Sequence, residues 1–183
     1  MDLTPTETRS WYRDPRVLLA VVAVVVWLID LAAKTFAVRH MTYGERIEVL
    51  GPFSLVLIRN PGAAFSMATG LTWVLTLIAV GVVVWIVRMG SRLTSLPWAL
   101  GLGLVLGGAL GNLSDRIFRS PGVFQGHVVD FFSVGNWFPV FNTADSAITV
   151  GAVLLVALTL FGRDPYEGFG QKKNTNNEEV ADA

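Results

Sequence analysis

Four long apolar runs divide this chain, at about Val17–Val38, Leu71–Val87, Leu96–Leu113 and Ala144–Phe161. Each approaches the roughly 20 residues that a helix needs to cross the hydrocarbon core of a bilayer. The pattern therefore predicts four membrane helices. The segments between them differ. A short turn joins the second and third runs, whereas the loops at 39–70 and 117–143 are long and patterned. In the first loop, Ile47–Leu50 and Phe53–Ile58 flank Gly51-Pro52 and are rich in β-branched and aromatic residues, which predicts two short strands around a turn. In the second, Val123–Phe132 predicts a strand, and Trp137-Phe138-Pro139-Val140-Phe141 suits the membrane interface. The resulting division is a polar segment 1–16, a membrane domain 17–162 carrying both loops, and a polar tail 163–183 expected to be disordered. The first run is of spanning length, with no small-residue cleavage site after a short core, so it is expected to be an anchor and not a leader that is removed.

Composition agrees with the periodicity. Hydrophobic residues make up 52% of the 183 and charged residues 15%, and mean hydropathy is +0.54, which excludes an ordinary soluble domain. Net charge is zero and no basic run occurs, so no nucleic-acid partner is expected. The absence of cysteine removes disulfides, thiolate metal sites and a cysteine nucleophile. Arg16, Arg88, Arg92 and Arg163, with Arg9, Arg13, Lys172 and Lys173, outnumber the cations of the two long loops. By positive-inside counting both termini are cytoplasmic and both loops lie at the outer face.

The unusual residues are carboxylates set in apolar sequence, namely Asp30, Asp115, Asp130 and Asp145. Each costs roughly 2.5–3.5 kcal/mol on insertion scales and needs a partner, a wet cavity or a task. Asp30 and Lys34 share a helix face at i,i+4 spacing, as a structural ion pair near the membrane surface would. Gly103, Gly107 and Gly111 form a small-residue stripe suited to tight helix contact. Gly108, Asn112, Asp115 and Arg116 fall on nearly one face at the end of the third run, as capping groups or as a substrate-facing patch. Asn60, followed by Pro61-Gly62 and the small residues Ala63-Ala64-Phe65-Ser66, either begins a turn or hydrogen-bonds an extended peptide. The strand after Phe53 is a candidate for holding such a peptide by strand addition.

Asp130 in HVVDFF and Asp145 in FNTADSAI are separated by Gly135, Asn136 and Pro139, which allow the chain to fold back and bring the acids face to face. Two carboxylates that share a proton supply a base and an acid at one pH, the equipment for activating water against an amide. Asp145 follows the good caps Asn142 and Thr143, where the helix dipole favours its charged form, while Asp130 lies between Val129 and Phe131, where desolvation favours protonation. Asp145 is thus the readier base. Motifs for zinc proteases, serine hydrolases and phosphate loops are absent. A serine-lysine dyad has only Lys34 to draw on. The non-enzyme alternatives are a small proton-coupled transporter using intramembrane Asp and Lys, and a structural membrane subunit.

Five ordered blocks carry a resemblance to a known family: Asp30-Leu-Ala-Ala-Lys34, Asn60-Pro-Gly-Ala-Ala-Phe65, Gly107-Gly-Ala-Leu-Gly-Asn-Leu-Ser-Asp-Arg116, Val128-Val-Asp-Phe131 and Phe141-Asn-Thr-Ala-Asp145. Between about Val17 and Phe161 the chain resembles the lipoprotein signal peptidases, the bacterial signal peptidase II family. The resemblance implies an all-α membrane protein, a four-transmembrane-helix bundle with a small extracytoplasmic β-cradle, in the bacterial cytoplasmic membrane. It implies an aspartyl endopeptidase cutting diacylglyceryl-modified prolipoproteins on the amino side of the lipidated cysteine. Carried over by position, Asp130 and Asp145 are the catalytic pair. Asn60, Gly62, Asn112, Arg116 and Asn142 line the substrate site, with Asp30, Lys34, Gly108 and Asp115 supporting it. No metal or organic cofactor is implied, the partners are lipid-modified signal peptides and membrane lipid, and a monomer is expected.

Overall fold

Proline is favoured at the first position of a helix, where its missing N–H is not needed, and Pro15 opens α1 (Pro15–His40) with Asp14 accepting from the Arg16 N–H at 2.9 Å. The computed structural model describes residues 14–62 and 72–166. After α1 come β1 (Arg46–Leu50), β2 (Phe53–Asn60), α2 (Thr72–Gly90), α3 (Leu96–Phe118), β3 (Val128–Val134) and α4 (Thr143–Leu160). The expectations on Ala63-Ala64-Phe65-Ser66 and on the tail beyond Tyr166 lie outside the described residues.

All four helices are long and apolar enough to cross a membrane, and α3 is the one the others surround: 56% of its most apolar window is buried, against 22%, 17% and 11% for α1, α2 and α4. Glycine makes this closeness possible. A Cβ on Gly107 would stand 2.6 Å from the Ala23 carbonyl oxygen of α1, and one on Gly108 would stand 2.5 Å from the Ala144 carbonyl oxygen of α4. Helix α3 therefore meets α1 and α4 backbone to backbone, as in membrane packing through small residues. Leu19, Ala23, Ile86, Ala99, Leu102 and Leu106 fill the bundle from α1, α2 and α3.

The three strands form one antiparallel sheet in the order β1-β2-β3. It rests on the end of α1 through Ala37, Leu57, Val129 and Phe131. Ile58 pairs with Asp130 and Asn60 with Val128, so Asn60 and Asp130 share a face of the sheet, because residues opposite each other project the same way.

Three expectations need correction. The second-loop strand begins at Val128 and not at Val123, because the preceding residues fold back on α3 and the turn after it: Gly126 N–H donates to the Arg116 carbonyl at 3.0 Å and His127 N–H to the Ser120 carbonyl at 2.9 Å. Helix α3 continues to Phe118 instead of ending near Leu113, so Asp115 and Arg116 belong to its closing turns. Asp115 interrupts the apolar run, but its partners Lys34, Arg119 and the Val129 N–H are inside the fold. Finally, β2 is the central strand, paired with β1 over Phe53–Val56 and with β3 along its other edge, so strand addition directly after Phe53 is blocked.

Candidate active site

Asn142 begins the site. It caps α4 by accepting the Asp145 N–H at 3.0 Å, and the Asp145 carboxylate returns to the Asn142 N–H at 3.2 Å, a reciprocal capping box that fixes the side chain of Asp145 in the first turn. The Asn142 amide donates to Asp130 Oδ1 at 2.6 Å. Asn60 donates to Asp130 Oδ2 at 2.8 Å, and its own carbonyl oxygen accepts the Gly62 N–H at 2.8 Å. Gly62 adopts φ 118°, a backbone conformation that glycine reaches without strain. Asn112, on α3, donates to Asp145 Oδ1 at 2.8 Å. One acid thus comes from the sheet and the other from the bundle, and Asn142 touches both.

Beneath this pair lies a charged floor. Lys34 Nζ is 2.7 Å from Asp30 Oδ2 and 3.0 Å from Asp115 Oδ2, and donates to Asn112 Oδ1 at 2.9 Å. Lys34 therefore fixes which end of the Asn112 amide faces Asp145. Asp30 Oδ1 accepts from Thr143 Oγ1 at 2.6 Å and from the Ala144 N–H at 2.9 Å, so it also serves the start of α4. Asp115 accepts the Val129 N–H at 3.1 Å and pairs with Arg119. Asp30 and Lys34 are 0% and 1% exposed, so their ion pair is structural, as expected, and is the buried centre of a network. Gly108 and Gly111 make room for it. The latter leaves no space for a Cβ beside Asp30.

Arg119 and Gly111 are the residues that sequence reasoning missed in this role. Arg119 follows Asp115 at i,i+4 and was open to the same spacing argument as Lys34. Arg116 lies within electrostatic reach of Asp130, Asp115 and Asp145, and its Nη1 is buried without a hydrogen-bond partner among the described residues. Ser114 is occupied otherwise: it receives Trp27 Nε1–H at 2.9 Å and donates to the Leu110 carbonyl at 2.7 Å. No serine contacts Lys34 among the described residues, which removes the geometric basis of a serine-lysine dyad.

Burial pushes the Asp130 carboxyl up from 3.8 to about 6; the hydrogen bond from Asn60 opposes this, and the neighbouring Asp145 charge adds to it. A carboxyl whose pKa rises on folding costs stability once ionised, a cost absent below about 3.8 and complete above about 6. The difference corresponds to about 3 kcal/mol. Relative to the parent protein, Asp130→Asn should therefore gain about 3 kcal/mol of stability as pH rises through that window, measured by thermal unfolding in detergent between pH 4 and 7.5. A lost hydrogen bond offsets the two curves by a constant and leaves the slope. Parallel curves would contradict the burial of a charge at Asp130.

The signal peptidase II family model matches residues 22–161, which hold every site residue above. The chain belongs to the signal peptidase II family. A lipoprotein signal peptidase of Rhodococcus jostii (strain RHA1) is 64% identical over 151 residues, 82% of this chain and 76% of that protein. One of Mycolicibacterium smegmatis (strain ATCC 700084 / mc(2)155) is 59% identical over 162 residues, covering 88% of this chain and 68% of that one. A bacterial membrane enzyme solved by the in meso method at 1.9 Å resolution superposes with a TM-score of 0.69 at 29% identity, over 78% of this chain and 92% of its own. This signal peptidase II homologue is a peptidase and a multi-pass bacterial membrane protein. The transporter and structural-subunit readings fall with that assignment.

Proposed function

We propose that this signal peptidase II homologue is an aspartyl endopeptidase that removes signal peptides from diacylglyceryl-modified prolipoproteins, cutting on the amino side of the lipidated cysteine with water activated between Asp130 and Asp145. The observation that carries this reading is the double contact of Asn142, which donates to Asp130 and receives the Asp145 N–H. Two carboxylates flanking one amide can hold a water between them.

Asp145 is the base. Its two oxygens accept from Asn112 and from the Asn142 N–H, which aims the side chain. Asp130 is the acid, held on a buried strand where desolvation favours its protonated form. Water gives its proton to Asp145 as its oxygen attacks the scissile carbonyl carbon, and Asp130 hydrogen-bonds the carbonyl oxygen and protonates it. Collapse of the tetrahedral intermediate breaks the C–N bond, with the proton from Asp145 passing to the leaving amine and the carbonyl oxygen's proton returning to Asp130. Charge supports a single shared proton: Asp30, Asp115, Lys34 and Arg119 sum to zero, and Arg116 balances one negative charge on the pair. The partnerless Arg116 Nη1 suits a substrate carbonyl, since a buried donor left unmet costs about 1–3 kcal/mol.

Arg16, Arg88, Arg92 and Arg163 lie at the end of the bundle opposite these acids, which supports cytoplasmic termini and a site at the outer leaflet. There the acyl chains of the substrate stay in hydrocarbon while its peptide reaches water. One chain supplies the whole site, which supports a monomer. The test is cleavage by the purified full chain of a peptide bearing diacylglyceryl-cysteine, read by product mass. Cutting before that cysteine, undiminished by chelator and absent from the unlipidated peptide, is expected. Cutting elsewhere, or equal cutting of both peptides, would refute the reading.

A further inference from the structure

At the far end of the bundle the chain after α4 is pinned across the turn between α2 and α3. Both Thr94 and Ser95 N–H donate to the Pro165 carbonyl at 3.2 Å, and Trp98 Nε1–H donates to the Arg163 carbonyl at 3.1 Å. This places Tyr166 opposite the end of α2, across a cavity of about 590 Å³ lined by Trp85, Arg88, Met89, Ser91, Arg92 and Tyr166. Arg88 and Arg92 are exposed, and neither side chain has an ion-pair or hydrogen-bond partner among the described residues. Asp164 accepts the Tyr166 N–H at 2.7 Å.

We propose that this cavity binds the phosphate of an anionic phospholipid in the leaflet opposite the catalytic pair. Arginine is always charged near neutral pH, and two guanidinium groups lining one cavity offer paired donors to phosphate oxygens. They lie at the end of a membrane-spanning helix, at headgroup depth, with Trp85 and Tyr166 beside them as interfacial aromatics. Below the cavity the same face of α2 presents Leu77, Ile78 and Trp85, 59%, 58% and 58% exposed. An acyl chain from a phosphate bound at Arg88 and Arg92 runs along that surface, which a soluble phosphate compound would leave uncovered.

The experiment is native mass spectrometry of the full chain in detergent, titrated with phosphatidylglycerol, with phosphatidylcholine of the same acyl chains, and with inorganic phosphate. Phosphatidylglycerol should bind in preference to both, and Arg88→Gln with Arg92→Gln should weaken it about thirtyfold while lipopeptide cleavage is unchanged. Trp85→Leu, which keeps both charges, should weaken it less. Equal binding of the two lipids, a preference that survives the double substitution, or inorganic phosphate binding as well as phosphatidylglycerol would each overturn the proposal. So would phosphatidylglycerol binding seen only after truncation at Tyr166, because the acidic residues of 167–183 would then be the occupant.

Discussion

Asp145→Asn is expected to lower cleavage of the lipidated peptide about a thousandfold to ten-thousandfold, because an amide cannot take the proton of the attacking water. Asp130→Asn should cost less, about a hundredfold at neutral pH, because an amide N–H can still donate to the scissile carbonyl. The ranking matters more than either loss. Asn142 contacts both positions, so a purely structural defect passed through it would reduce the two alike. Single-turnover assays on protein with an unchanged unfolding midpoint separate these effects. The opposite ranking would exchange the roles of the acids. Undiminished cleavage in both variants would remove the pair from the reaction.

Lys34→Met is expected to destabilise the fold by about 3–5 kcal/mol, the range for removing one partner of a buried pair. Lys34 is 1% exposed and is the cation between Asp30 and Asp115. Without it, Asp30 Oδ2 loses its ammonium partner, Asp115 keeps only Arg119 and the Val129 N–H, and nothing holds the Asn112 amide in the orientation that donates to Asp145. Methionine is close to lysine in length and leaves no large void, so the loss measures charge. Adding Asp30→Asn to Lys34→Met should recover part of the stability, since it removes the stranded charge while its carbonyl can still accept from Thr143 and Ala144. The measurement is thermal unfolding in detergent, and an unchanged midpoint for Lys34→Met would dispose of the network as a source of stability.

The helices were legible because a membrane span needs an unbroken apolar run, and that constraint writes itself into composition. The catalytic candidates were legible for the converse reason. Asp130 and Asp145 violate the run, and Asn142 three residues before Asp145 announces a cap. What escaped was whatever depends on partners distant in sequence. The spacing of Asn112, Asp115 and Arg116 puts them on one helix face, but nothing local shows that α3 runs on to Phe118, because polar residues end an apolar run until Lys34, Arg119 and the Val129 N–H are known to meet Asp115. The strand start at Val128 was hidden likewise, since Val123 and Phe124 suit a strand by type while Gly126 and His127 are bound to the end of α3 and the turn after it. Which strand would be central could not be read from the order of the hairpin, and only the return of β3 onto β2 decides it.

The glycine faces of α3 set how this protein can drift. A position such as Ile78 or Val153 touches lipid tails, and any apolar side chain serves there. At Gly103, Gly107, Gly108 and Gly151 there is no room for even one added methyl group against the neighbouring helix, so the interior of the bundle admits almost no alternative spelling. Room for substitution therefore lies in the bilayer-facing skin and not along the axis.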